Sequence, residues 1–415
     1  MNYSNTQKSL IKKIMLIITI LGQASIALYL PALPDIGHSL AISQFEVKMT
    51  VTCFIIGFGI SPMFFGPLSD SIGRKTVLLI ALIFALVGFF INIFCTSLDL
   101  FIVCRIIEGI GCGGLLTSGR SIARDVFSGK ELAKASSYLS MGFAIGFGLS
   151  PTIGGFLTSN FSWQAIFIFL VIFDLFIIVI CSLFLVETKP RDNKPRDNKA
   201  QVDQRNNKNL LQITLRDYID AMSNKRFIIN VFGGFFAYCV VIGYNVMTPF
   251  LIQNNFSFSA EEYGYLAILI GLPYYFGASI NRRIVNQHGI YVSCLIGSLF
   301  VFISGAMMML ANWSGYQNIY VLIIPFMAAT FGQALIFSNT IASALQLFPA
   351  SSGGRMSALY SSLQMILVSM ISILLAQFPD NDTIYLSAVV TIMGALSLIF
   401  IGFLNRPTQE ISKII

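Results

Sequence analysis

The chain has 415 residues, of which 55% are hydrophobic and only 11% are charged. A soluble globular domain carries roughly 25% charged residues, so this composition excludes a soluble protein and indicates an integral membrane protein. The net charge of +7 comes from bases spread over many short segments, which argues against a nucleic-acid-binding patch.

Apolar runs recur along the chain at about the 20-residue length that crosses a ~30 Å hydrocarbon core. They predict an all-α membrane protein with twelve transmembrane helices. The first run is too long for a signal-peptide core and leads directly into others, so we expect it to be retained. The predicted spans cover residues 14–34, 47–67, 77–95, 100–118, 135–156, 163–185, 227–250, 263–278, 290–311, 319–344, 356–376 and 384–404.

Basic residues set the predicted orientation. With both termini in the cytoplasm, residues 1–13 and 405–415 are cytoplasmic tails, and 24 of the 26 Lys and Arg residues lie in inside segments. This distribution obeys the positive-inside rule, and an odd number of spans would break it. The two other bases are Lys48, at a predicted outer helix end, and Arg105, inside the membrane.

Two groups of six spans, in residues 14–186 and 227–404, flank a polar segment at 187–226. This segment contains PRDNK twice, at 190–194 and 195–199. It lacks the apolar residues needed to fold alone, so we predict a flexible cytoplasmic connector. Two six-helix halves are typical of transporters that hold their substrate between the halves near the membrane midplane.

A series of motifs resembles one family of transporters. The loop GPLSDSIGRK at 66–75 resembles the signature loop of the major facilitator superfamily, which joins the second and third helices on the cytoplasmic side. LYLPALPDI at 28–36 resembles the first-helix end of the Bcr/CflA drug-resistance branch. The resemblance implies the major facilitator fold with two six-helix halves. The series continues at 105–114, 119–127, 142–155, 163–167, 186–188, 248–252, 324–339 and 354–359.

The signature loop is expected to act as a conformational latch, which by resemblance holds the halves together when the cavity opens outward. Gly66 has no side chain, so two helices can approach closely there, and Asp70 is placed to meet a helix N-terminus or a base. A basic turn that only sets topology would explain Arg74 but not the acid or the glycines. Ser71 stands where the family usually has arginine. The latch residues that the resemblance implies are Gly66, Asp70, Gly73, Arg74 and Asp125.

Small residues recur every four positions along the predicted fifth helix. This stripe comprises Gly142, Gly146, Ser150 and Gly154, with Pro151 beside it. Such a stripe lets two helix backbones touch, so a tight helix pair is expected. The resemblance adds that this contact seals the inward side in antiporters.

Three charged residues lie well inside predicted spans, where each costs on the order of 2.5–3.5 kcal/mol. Arg105 and Glu108 are three residues apart and share a helix face, so they can form a structural ion pair or exchange a proton against substrate binding. Many relatives carry an acid two residues before the first-helix tyrosine, where this chain has Ala27, so Glu108 is the candidate replacement. Asp174 is either a neutral, hydrogen-bonded group or a second proton carrier.

Polar or amphipathic residues on helices expected to face the centre are candidates to line a substrate cavity. With 37 Phe residues in the chain, we expect an aromatic, adaptable cavity. The candidate cavity residues are Gln23, Tyr29, Tyr138, Tyr244, Asn245, Asn339, Tyr360 and Gln364.

These features predict a multi-pass transporter of the bacterial inner membrane that exports drug-like or amphipathic molecules in exchange for protons. Its expected partners are a small-molecule substrate, protons and lipid, and the expected state is a monomer. A dedicated carrier of a metabolite or siderophore without the usual proton coupling remains open, as does a non-transporting membrane receptor.

An enzyme is disfavoured because the sequence has neither HExxH nor a P-loop. The seven cysteines are scattered singly within apolar runs, which predicts neither disulfides nor a zinc site. We therefore expect no metal and no cofactor.

Overall fold

The computed structural model describes residues 3–189, 216–316, 318–349, 352–379 and 382–404. Within these residues every regular element is a helix. The first part of the chain forms α1 (Asn5–Ala27), α2 (Leu33–Leu40), α3 (Gln44–Ile72), α4 (Arg74–Ile93), α5 (Leu98–Val126), α6 (Gly129–Asn160) and α7 (Gln164–Phe184). The second part forms α8 (Lys225–Phe250), α9 (Ala260–Trp313), α10 (Ile319–Leu345), α11 (Gly353–Ala376) and α12 (Ile384–Leu404).

Eleven helical segments of the described chain are long and apolar enough to cross a membrane. The 54-residue α9 would be about 80 Å long if straight, which far exceeds a ~30 Å hydrocarbon core. Its helix breaks at Gly289, where φ is 84° and ψ is 168°, a conformation that favours glycine. The two arms of α9 are therefore separate crossings, and the predicted all-α fold with twelve spans is confirmed.

The first span differs from its predicted bounds of 14–34. α1 begins at Asn5, after a capping box in which Ser4 and Gln7 bond each other's backbone. The α-helix stops at Ala27, a 3-10 turn follows at Leu30–Ala32, and α2 then continues to Leu40. Pro31 cannot donate a backbone hydrogen bond and disfavours a continuous helix, which explains the change of geometry.

The helices pack as two groups with a shared interface. In the first group α5 packs on α3 and α4, and α1 packs on α6; in the second, α9 packs on α10 and α12, and α8 on α12. Across the interface, α6 packs on α9 and α3 packs on α11. The space between α1, α6, α8 and α9 is therefore enclosed by both groups.

The predicted connector and the predicted tail at 405–415 fall largely outside the described residues. At the end of the predicted flexible connector, residues 216–223 are helical. Arg355 at the start of α11 binds Asp217 through Nε at 2.8 Å and Nη2 at 2.7 Å. Ala221 is fully buried, so apolar contacts with the second group supply the packing that the segment lacks alone.

Candidate functional site

An enclosed cavity lies between the two groups of helices. The volume open to water is about 10 Å³, which is roughly what one water molecule needs. In this form, which we call the occluded form, the centre is therefore too small for a drug-sized molecule. The cavity is lined by Ala27, Leu30, Phe147, Pro151, Tyr244, Asn245, Tyr263, Ala267 and Ile270.

Contacts between the groups close the cavity on the predicted outer side. The hydroxyls of Thr52 and Ser372 lie 2.6 Å apart, which joins α3 to α11. Gln253 donates a 2.8 Å hydrogen bond from Nε2 to the carbonyl oxygen of Pro31. Both contacts join the first group to the second and must break before the cavity can open outward.

Different contacts close the predicted cytoplasmic side. Phe143, one helical turn before Phe147 on α6, stacks on Tyr274 with ring centroids 6.1 Å apart and lies equally far from Phe337. Nearer the predicted cytoplasmic ends of the helices, Arg120 donates from Nη1 to Oγ of Ser361 at 3.2 Å. These aromatic and polar contacts must break before the cavity can open inward.

Two of the predicted cavity residues line this cavity. Tyr244 is buried with its ring stacked on Phe326, centroids 4.4 Å apart, and its hydroxyl has no hydrogen-bond partner among the described residues. Asn245 is also buried and follows it on α8. Tyr263, which the sequence analysis did not identify, also lines the cavity. Its hydroxyl oxygen lies 3.2 Å from that of Thr248.

The other six predicted cavity residues lie elsewhere in the occluded form. Asn339 donates 2.8 Å to Asn281 within the second group, and Tyr360 donates 2.9 Å to Thr340. Asn281 and Thr340 therefore satisfy the polar groups of two residues that the sequence analysis had assigned to ligand binding. The remaining four are Gln23, Tyr29, Tyr138 and Gln364, none of which lines the cavity.

Arg105 and Glu108 form an ion pair inside the first group, and both are fully buried. The Arg105 guanidinium lies 3.9 Å from the ring centroid of Tyr29 and 4.5 Å from that of Phe54. Cation–π attraction to both rings helps to offset its burial. Tyr29 is therefore a partner of the buried cation and not part of the cavity wall.

Glu108 faces α4, away from the cavity. Its Oε1 accepts a 2.6 Å hydrogen bond from Nδ2 of Asn92, which the sequence analysis did not identify. A methyl group on Gly88 would collide with the Glu108 side chain, so this glycine makes room for the acid. A lone amide and a glycine in the α4 apolar run were the only sequence signals for this contact.

Asp174 on α7 is fully buried, and neither of its carboxyl oxygens has a hydrogen-bond partner among the described residues. The expectation of a hydrogen-bonded Asp174 is therefore wrong in this form. An unpartnered carboxylate is strongly disfavoured in a low-dielectric environment, so the geometry favours the neutral acid.

Three of the predicted latch residues come together at the predicted cytoplasmic ends of α3, α4 and α5. Arg74 donates from Nε to Oδ2 of Asp125 at 2.6 Å and pairs through Nη1 with Asp70. The close approach expected at Gly66 is absent, because a Cβ there would meet no atom within 4 Å. Gly73 is instead the constrained glycine, with φ of 111° at the turn between α3 and α4.

Glu187 completes this turn, and sequence reasoning missed its role. Its carboxylate accepts hydrogen bonds from the backbone amides of Arg74 at 2.7 Å and Lys75 at 3.2 Å. A carboxylate at this position satisfies free amides and complements the dipole at the start of α4. A Cβ on Gly73 would lie 3.0 Å from Cδ of Glu187 and closer still to Oε2, so Gly73 also makes room for the cap.

The small-residue stripe of α6 faces α1. A Cβ on Gly146 would lie 2.7 Å from Cβ of Gln23, and one on Gly142 would lie 2.7 Å from the carbonyl oxygen of Leu16. A Cβ on Gly154 would lie even closer to its neighbour, the carbonyl oxygen of Leu28. Ser150 is buried in the same helix.

Pro151 is turned toward the other group of helices. A Cβ on Gly264 of α9 would lie 2.7 Å from the Pro151 carbonyl oxygen. Thr152 donates a 2.8 Å hydrogen bond to the Gly264 carbonyl oxygen. α6 thus links α1 of its own group to α9 of the other.

Comparisons with known proteins agree with this architecture. A family model described as the Major Facilitator Superfamily matches residues 15–373. Multidrug resistance protein D of Escherichia coli strain K12 is 24% identical over 389 residues, covering 92% of both chains. The bicyclomycin resistance protein homolog of Haemophilus influenzae is 24% identical over 344 residues, covering 81% of both chains.

Solved structures share the fold at low identity. The crystal structure of a D-xylose–proton symporter has a TM-score of 0.72 at 15% identity and covers 96% of this chain and 97% of its own. The human organic anion transporter MFSD10 has a TM-score of 0.70 at 18% identity and covers 96% and 99%. The chain is therefore a multi-pass member of the Major Facilitator Superfamily, in the drug-resistance branch that its curated relatives represent.

Proposed function

We propose that this protein exports drug-like or amphipathic small molecules across the bacterial inner membrane by alternating access, driven by proton entry. Both termini are cytoplasmic in this proposal, and the protein acts as a monomer. The relatives named for multidrug and bicyclomycin resistance support the substrate class.

The observation that carries the proposal is an enclosed cavity closed by separate contacts on its two sides. The Thr52–Ser372 contact lies on one side and the Phe143–Tyr274 contact on the other. Since each set joins the two groups independently, one can break while the other persists. Opening one side at a time is the requirement of alternating access.

For proton coupling we propose Glu108 as the carrier, with Arg105 as its partner and Asp174 as a second candidate. In the occluded form Glu108 is held by Arg105 and Asn92. Substrate in the cavity would press on α1, whose Ser25 carbonyl oxygen lies 3.4 Å from both terminal nitrogens of Arg105. A shift of Arg105 would change how strongly the ionised acid is stabilised, which couples substrate to proton.

Two structural elements support the cycle in this proposal. The cluster of Asp70, Arg74 and Asp125 is the latch at the cytoplasmic rim, with Gly73 shaping its turn. The stripe of Gly142, Gly146, Ser150 and Gly154 keeps α6 and α1 moving as one body while Pro151 contacts the other group.

One observation favours the second candidate function, a metabolite or siderophore carrier without proton coupling. Ala27 lines the cavity with a methyl group, at the position where the family resemblance leads one to expect an acid. An uncoupled carrier needs no acid there.

Expression in a bacterial host that lacks its main efflux pumps tests these alternatives. We expect raised resistance to several antibiotics and lower cellular accumulation, both lost when the proton gradient is collapsed. Siderophore secretion without resistance would favour the dedicated carrier. Normal membrane insertion with no movement of any compound would favour a non-transporting receptor.

A further inference from the structure

The cavity between the two groups contains no charged side chain. Of its nine lining residues, only Tyr244, Asn245 and Tyr263 carry polar side-chain groups. All three polar groups are neutral, and they come from α8 and α9. The other lining residues are apolar.

No charged side chain lines the cavity among the described residues, and the buried Lys48 of α3 donates instead to the carbonyl oxygen of Phe378 at 3.0 Å. α10 and α12 contain no charged residue along their whole length. Arg105 and Glu108 are fully buried against each other, and the acid faces α4. Asp174 is fully buried on α7, which does not contribute to the cavity wall.

Two of the three polar groups in the cavity lack a hydrogen-bond partner among the described residues, whereas the Tyr263 hydroxyl lies 3.2 Å from that of Thr248. The buried Tyr244 hydroxyl has no hydrogen-bond partner in the described structure, and Asn245 forms no side-chain hydrogen bond with the described residues. Burying such groups without partners costs free energy, which a hydrogen-bonding ligand would recover. Their chemistry, one phenol and one amide, suits a neutral ligand with donors and acceptors.

Two of the aromatic rings at the cavity each have one face covered by a neighbouring ring, which reduces the aromatic surface open to a cation. The Tyr244 ring stacks on Phe326, and the Phe147 ring stacks on Phe143 with centroids 6.2 Å apart. A cation entering the cavity would lose its hydration without gaining an acid or an open aromatic cage.

We propose, on the basis of the export function above, that this transporter selects uncharged, hydrogen-bonding aromatic molecules and discriminates against lipophilic cations. Tyr244 and Asn245 are the specificity-determining residues. The aromatic walls supplied by Phe147 and Tyr263 accommodate the ring of the ligand.

Three dansyl compounds with one fluorophore and different charges at pH 7 test this proposal. Dansylamide is neutral, dansylcholine is a quaternary cation and dansylglycine is an anion. Binding to the purified full-length protein is followed by dansyl fluorescence. We expect dansylamide to bind at least about tenfold more tightly than dansylcholine, a difference typical of one uncompensated polar interaction.

Substitutions inside and outside the cavity test whether its residues determine the ligand preference. Tyr244→Phe removes one hydroxyl and should weaken dansylamide binding by about 2- to 10-fold. Asn245→Asp adds an acid and should improve dansylcholine binding relative to dansylamide. Tyr385→Phe, whose ring stacks on Phe378 away from the cavity, is the control and should change neither preference.

Equal or tighter binding of dansylcholine by the unmodified protein would overturn the proposal, and so would binding of none of the three probes. An unchanged preference in Asn245→Asp would also overturn it. Export of dansylcholine but not dansylamide from cells would retain the export function while refuting this selectivity. Failure of the resistance and accumulation assays would instead refute the export function itself.

Discussion

Arg105 and Glu108 show how single charged residues are accommodated in this membrane protein. Their spacing on α5 was sufficient to predict that they share a face, and the structure pairs them. The contacts of the pair to Asn92 and Tyr29 could not be predicted, because those side chains come from α4 and from the turn after α1. Intrahelical geometry is encoded locally, whereas partners from other helices depend on the packed fold.

Asp174 presents the opposite case, a buried carboxyl group that has no hydrogen-bond partner among the described residues. We expect Asp174→Leu to raise the thermal unfolding temperature, because removing an unsatisfied buried polar group can recover about 1–3 kcal/mol. The measurement is the unfolding transition of the purified protein in one fixed detergent. Asp174→Asn, which keeps a polar group there, is the matched control and should change the transition less.

A lower unfolding temperature in Asp174→Leu would show that the carboxyl group has a stabilising partner. Retained transport in that variant would also remove Asp174 from the proton pathway and leave Glu108 as the candidate.

At the scale of elements, the turn between α3 and α4 combines a strained backbone with an acidic cap. We expect Gly73→Val to abolish transport while leaving membrane insertion normal. A β-branched residue is strained at φ of 111° and would displace the Glu187 carboxylate from the start of α4. Transport in proteoliposomes at matched protein content is the measurement.

Gly66→Ala supplies the control for this turn, because its Cβ would meet no atom within 4 Å. Transport by Gly73→Val at the rate of the unmodified protein would refute the latch assignment. Asp70→Asn, which breaks the pair with Arg74 and keeps the backbone, should show the same transport loss as Gly73→Val.

The α6 stripe allows a second comparison between glycines. Gly146→Ala should lower both stability and transport, because its Cβ would lie 2.9 Å from the carbonyl oxygen of Ile20. Overpacking of this kind typically costs about 1–3 kcal/mol. Thermal unfolding and cysteine accessibility of the cavity from each side are the measurements.

Gly148→Ala lies on the same helix, and its Cβ would meet nothing within 4 Å. It should behave like the unmodified protein. Equal behaviour of the two alanine variants would mean that α6 and α1 do not rely on this contact.

At the scale of the whole molecule, the two groups of helices enclose a cavity that neither could form alone. The number of spans could be predicted from the lengths of the apolar runs. The family could be predicted from an ordered series of short motifs. The wall of the cavity in the occluded form could be predicted only in part. Of eight candidates only Tyr244 and Asn245 line it, because residues such as Asn339 and Tyr360 find partners within their own group.

A disulfide across the interface tests whether the two groups move relative to each other. Thr52→Cys with Ser372→Cys, in a background without native cysteines, replaces hydroxyls that lie 2.6 Å apart. We expect oxidation to block transport and reduction to restore it, because the link holds the predicted outer side closed.

The matched control is the double substitution Ser298→Cys with Ser397→Cys. The hydroxyls of these two serines lie 3.2 Å apart within the second group. Oxidation of that pair should leave transport intact. If the disulfide across the interface forms fully and transport continues, rigid-body alternating access is refuted.

The central claim, export coupled to protons through Glu108, is tested most directly by substrate-driven proton movement in proteoliposomes. With the unmodified protein, adding an exported drug to one side should move protons in the opposite direction, recorded by a trapped pH indicator. Glu108→Gln should abolish this proton movement while drug binding persists, and Asp174→Asn should retain it. Unchanged proton movement in Glu108→Gln would contradict the account.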